Sequence, residues 1–126
     1  MIGRILAGLV ALLMGVSALN WLADPAGAAQ GLGMPLLDGV GRSTQVGDFT
    51  AFFSAVTIFC VLGIVTQRAH WLHSAAAILG LAALARTLAW ALHGAEFATV
   101  FILMEVVMTT LLLVAAVLFT RSAAET

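Results

Sequence analysis

The stretch Leu72–Leu92, LHSAAAILGLAALARTLAWAL, decides the fold. It is a continuous apolar run broken by one charge, Arg86. About 20 mostly apolar residues cross the roughly 30 Å of bilayer hydrocarbon, and this run is that long. Its apolar residues do not alternate with polar ones, as a membrane β-strand requires. Lipid offers no partner to an open backbone group, so the run must be helical. Three further runs read the same way: Ile5 to Ala23, Phe49 to Thr66, and Phe97 to Thr120. The first stops where Asp24-Pro25 disfavours further helix.

Composition supports four spans. The 126 residues are 63% hydrophobic and 9% charged, and mean hydropathy is +1.14. A soluble domain carries about 45–50% apolar and roughly 25% charged residues. So few charges cannot coat a water-exposed globule, which argues against a soluble enzyme, a nucleic-acid binder and a disordered tail. Net charge is -1, lysine is absent and no basic run offers a phosphate footprint, so nucleic acid is not a partner. The lone Cys60 cannot form an internal disulfide and says nothing of redox compartment. The expected fold is all-α: one polytopic membrane domain, residues 1–126, in a four-transmembrane-helix antiparallel bundle.

The connections differ. Residues 24–47 form a long loop rich in glycine (Gly27, Gly31, Gly33, Gly39, Gly41 and Gly47). A loop of this length in a small bundle is often functional. Gly31-Leu32-Gly33 lacks the third glycine and the strand-turn-helix setting of a dinucleotide site. The links Gln67–Trp71 and His93–Glu96 are short, which makes spans two, three and four antiparallel neighbours. Small-residue stripes (Ala7, Ala11 and Gly15; Ala76 and Gly80; Ala85 and Ala89) suit close helix approach or self-association.

Arg4, Arg68 and Arg121 fall on one side of the spans, and Arg42 alone falls on the other. The positive-inside rule then places both termini in the cytoplasm of a bacterial inner membrane, with the glycine-rich loop outside. Arg4, the first apolar run and the small residues near Ala26-Gly27-Ala28 also suit a secretory signal. That run reaches Asn20-Trp21, however, which is longer than a usual signal core. Trp21, Trp71 and Trp90 lie near span ends, as interfacial anchors do.

Two residues are costly in lipid. Arg86 in span three and Glu105 in span four each cost about 2.5–3.5 kcal/mol if alone at mid-bilayer. At 1.5 Å per residue they lie about 9 Å and about 12 Å below the outer end, so an inward-facing Arg–Glu pair is the economical solution. Asp48, at the outer end of span two, is placed to join it. Arg86, Trp90 and His93 form one helical stripe, and Glu105, Met108, Thr109 and Leu112 form another. With Ser17 and Asn20, polar groups from all four spans gather toward the outer leaflet. The cluster Asp48, Arg86, Trp90, His93 and Glu105 is therefore either a structural clamp, the wall of a ligand or headgroup pocket, or part of a proton path. A path would need further titratable steps in the inner half, where only Ser54, Thr57, Cys60 and Thr110 stand. His70 and His73 lack a third metal ligand, and the solitary His93 cannot make a bis-histidine haem site. No metal or cofactor is expected, and no catalytic residue is assigned.

Read on Gly47-Asp48-Phe49-Thr50-Ala51-Phe52-Phe53, on Ala85-Arg86-Thr87-Leu88-Ala89-Trp90-Ala91-Leu92-His93 and on Glu105, the chain resembles a family of short bacterial membrane proteins. That family is described as a domain of unknown function and is distantly similar to the DoxX-like four-helix proteins. The likeness spans roughly Asp24 to Val107. Related chains often carry an arginine just ahead of span two and paired glycines within it, where this chain has Val46 and Thr50-Ala51. The resemblance implies a four-helix membrane fold and no established reaction.

The expected function is a non-enzymatic accessory or binding protein. It would hold a lipid, a quinone-like or other hydrophobic ligand, or a membrane partner, through the outer-leaflet cluster. The alternatives are an oligomeric ion channel or proton-coupled transporter, and a small membrane enzyme. Expected partners are membrane lipids and a homo-oligomer or larger membrane complex.

Overall fold

A computed structural model describes all residues, Met1–Thr126. The chain is entirely helical: α1 Ile2–Ala23, α2 Pro25–Gly31, α3 Gly39–Thr66, α4 Ala69–His93 and α5 Thr99–Ala124. All but α2 are long and apolar enough to cross a membrane. They form a four-helix bundle in which α1 and α4 each pack against both α3 and α5. The short links make α3, α4 and α5 successive antiparallel neighbours, and α1 closes the ring.

Helix ends follow local chemistry. Asp24 leaves helical geometry, and its carboxylate accepts a hydrogen bond from Gly27 N at 3.1 Å, capping α2 with Pro25 in the first turn. Gln67 ends α3 in the left-handed conformation, where its side chain donates to Ile64 O at 2.6 Å. Gly94 ends α4 with φ of 66°, a conformation open to glycine without strain.

The core is built from small and medium apolar side chains. Ala7, Val10, Cys60, Leu72, Ala75, Leu112, Ala115 and Ala116 are all fully buried. Such residues let helices approach closely where no water drives them together. Gly63 is a close contact between α3 and α4, since a Cβ there would lie 2.5 Å from Leu72 Cδ2. Of the small-residue stripes, Ala7 and Ala76 sit in the core, whereas Ala85 faces outward. Large aliphatic residues such as Leu12, Leu19, Leu81 and Val100 also face outward. A helix apolar on every side is stable only where its outer face meets hydrocarbon or protein.

The segment 24–47 departs from the expected open loop. Pro25–Gly31 is helical, and α3 begins at Gly39 rather than near Phe49. Apolar content marks where a helix enters lipid, not where it starts. At 1.5 Å per residue, the 28 residues of α3 extend about 42 Å, so its polar first turns stand beyond the hydrocarbon. Those turns are held by Arg42, which binds the Asp38 carboxylate and Leu37 O, each at 2.8 Å. The buried Gln45 ties down the connecting segment. Its Oε1 accepts from Leu37 N at 2.7 Å, and its Nε2 donates to Pro35 O at 3.0 Å.

Gln45→Leu strands both backbone groups. We expect a loss of about 1–3 kcal/mol by thermal unfolding, together with faster amide exchange at Leu37. Unchanged exchange at Leu37 would show that Gln45 does not hold this segment.

Candidate functional site

The site begins with a charge pair between neighbouring helices. Arg86 lies seven residues before the end of α4, about 10 Å below it, and Glu105 lies six residues into α5, about 9 Å from its start. The short 94–98 link brings these ends together, so the side chains meet at one level. Arg86 Nε donates to Glu105 Oε1 at 2.8 Å. The Glu105 side chain is 10% exposed and that of Arg86 31%, so the carboxylate is the buried partner. Phe101, one turn before Glu105, places its ring 4.8 Å from the guanidinium carbon, a cation–π contact. One turn after it, Thr109 donates to Glu105 O at 2.7 Å and adds no bond to the carboxylate.

Glu105 Oε2 is buried and has no hydrogen-bond partner in the protein. A buried polar atom without a partner is costly, and more so when it belongs to a charged group. Thr50 Oγ1, in the N-terminal half of α3, is the other such atom.

The other expected site residues are not drawn to the pair. Asp48 is exposed on α3 and makes no ion pair. Trp90 is half exposed and packs edge-on against Phe97, with ring centroids 5.3 Å apart. His93 is exposed in the last turn of α4. The α4 stripe thus diverges outward from Arg86, and the rotation of α3 turns Asp48 outward. Ser17 turns its hydroxyl back to Leu13 O at 2.9 Å. No three His, Cys, Asp or Glu side chains converge as metal ligands.

A chamber of about 220 Å³ lies beside Glu105, in the half of the bundle that carries the ion pair. Met14 and Ser17 of α1, Phe52 and Phe53 of α3, Leu79 of α4 and Phe101, Met104 and Met108 of α5 line it, with Leu32 of the connecting segment. Glu105 supplies the charge in a wall that is otherwise mostly apolar. A second cavity, about 440 Å³, lies between α1 and α2 and is lined by Ser17, Asn20, Trp21, Asp24, Leu32 and Phe53 among others. Trp21 is buried there and stacks on Phe49, with ring centroids 4.8 Å apart. The sequence reading missed the roles of Leu32, Phe52, Phe53 and Met104. The adjacent phenylalanines at the head of span two were the available signal, since two bulky rings there keep neighbouring helices from closing.

Comparison with protein-family models, with curated proteins and with solved structures finds no match. The functional reading therefore rests on the chain's own residues.

The ion pair is open to a double-mutant test. Arg86→Met leaves the Glu105 charge buried and unpaired, and we expect it to cost about 3–5 kcal/mol in detergent unfolding. Adding Glu105→Leu should recover much of that loss, because the orphaned charge is gone. Asp48→Asn should change stability by less than about 0.5 kcal/mol. Additive losses in the double variant would contradict the pairing.

Proposed function

We propose that this is a non-enzymatic binding or accessory protein of a bacterial inner membrane, and that it holds a hydrophobic ligand in the outer-half chamber. One observation carries the reading: a buried carboxylate oxygen with no protein partner lies on a residue that lines an apolar chamber built from all four spans. Small-molecule sites have this character, mostly apolar walls with a few placed polar groups. Oε1 is fixed by Arg86, so Oε2 is held in place for a ligand at little cost in ordering.

Two further observations favour binding over transport. The core below the chamber is Ala, Val, Leu and Phe with the single thiol of Cys60, which gives a proton no succession of carboxylates or histidines. Its hydroxyl-bearing neighbour Thr57 is bonded back to its own helix at Phe53 O. An enzymatic reading has less support, because Glu105 is tied to Arg86 and Asp48 stands exposed without a neighbouring base or nucleophile.

On this reading both termini are cytoplasmic and the 24–38 segment faces outward, as the arginine distribution favours. Asp38→Cys should react with a membrane-impermeant maleimide on intact spheroplasts, and Ala124→Cys only after lysis. The opposite pattern would invert the topology. For binding itself, native mass spectrometry of protein from gently solubilised membranes should show one small hydrophobic adduct per chain, reduced in Glu105→Gln. Bare protein from such membranes, together with proton flux in proteoliposomes that Glu105→Gln abolishes, would replace binding with transport.

A further inference from the structure

The two outer cavities share Ser17, Leu32 and Phe53 in their walls. They therefore lie side by side, with those three side chains between them. The inner chamber ends at Glu105, and the outer cavity carries Asn20 and Asp24 at the membrane face. The pair of cavities is amphiphilic, with an apolar room inside and a polar one outside.

Resting on the binding reading above, we infer that the ligand is a neutral, hydroxyl-bearing amphiphile whose hydroxyl group donates to Glu105 Oε2. A carboxylate facing a guanidinium accepts hydrogen bonds and donates none. Oε1 is already engaged by Arg86, and Oε2 is buried without a donor. The one hydroxyl side chain lining the chamber, Ser17, has given its proton to Leu13 O. A donor brought by a ligand in the chamber satisfies Oε2. A ketone or a quinone carbonyl would set lone pair against lone pair, so an alcohol or phenol is selected over its oxidised counterpart.

Charge narrows the head group. No arginine lines either cavity, whereas Glu105 lines one and Asp24 the other. Arg86 stands behind the wall, against Glu105 and Phe101. A phosphate or carboxylate ligand would meet two acidic residues with no cation to receive it. Asp24 already spends Oδ1 on Gly27 N, and Asn20 offers an amide that both donates and accepts. A neutral polar head suits this outer room.

The test uses matched probes on the whole protein in nanodiscs: 1-decanol, 2-decanone and decyl phosphate, with binding read from the shift in unfolding temperature against probe concentration. The alcohol should bind at least about tenfold more tightly than the ketone or the phosphate, the scale of one hydrogen bond to a charged group. Ser17→Leu, which fills part of the chamber from its wall without breaking any bond between residues distant in the chain, should abolish the shift. In Glu105→Gln, the amide can donate as well as accept, and alcohol and ketone should become nearly equal. Wild-type binding in which ketone or phosphate matches the alcohol overturns the donor inference and leaves the binding site standing. A shift that survives Ser17→Leu places the probe elsewhere and overturns it too. If none of the three probes binds, the binding reading falls with it.

Discussion

An ion pair between α4 and α5 constrains everything around it in its half of the bundle. Neither Arg86 nor Glu105 can stand alone in hydrocarbon, and each is tolerable only at the level of the other. The 2.8 Å contact therefore fixes the vertical register of the two helices and the face that each turns inward. The Phe101 ring, within cation–π reach of Arg86, restricts the rotation of α5 further. Buried pairs of this kind add little net stability; their effect is to make every alternative register worse.

That constraint divides the molecule. Below the pair, alanines and a few larger aliphatic residues bring four helices into close contact and leave no polar route. Above it, Phe52, Phe53, Phe101 and Met104 hold the helices apart around a chamber, and the connecting segment lies over it. Gln45 performs for that segment what Arg86 performs for the helices. It satisfies backbone groups that the turn from α2 to α3 would otherwise leave open. One half of the bundle is thus closed and the other accommodating.

The spans were legible in the sequence because hydrocarbon imposes length and composition directly, and the short links read at Gln67–Trp71 and His93–Glu96 dictated antiparallel packing. The Arg86–Glu105 pair was legible for the same reason, since two isolated charges in apolar runs had one economical arrangement. Asp48 was grouped with them by proximity along the span, but helix rotation sets its direction, and it points outward. Helical α2 was hidden because Asp24-Pro25 ends one helix and starts the next with the same two residues. The first turns of α3 were hidden because polarity, there, reports exposure rather than the lack of a helix. The chamber was illegible because a cavity is a property of facing side chains from several helices, and no single run records it.

The account depends on Glu105 being an ionised acceptor locked to Arg86. Infrared difference spectroscopy of the protein in bilayers, wild type against Glu105→Gln, observes that group directly. At neutral pH the difference should contain a carboxylate stretch and no protonated carboxylic-acid carbonyl, and the carboxylate signal should weaken in Arg86→Met. A carboxylic-acid carbonyl band from Glu105 in the wild-type protein would mean that the pair is not an ion pair, and both the register argument and the acceptor chemistry of the chamber would be wrong.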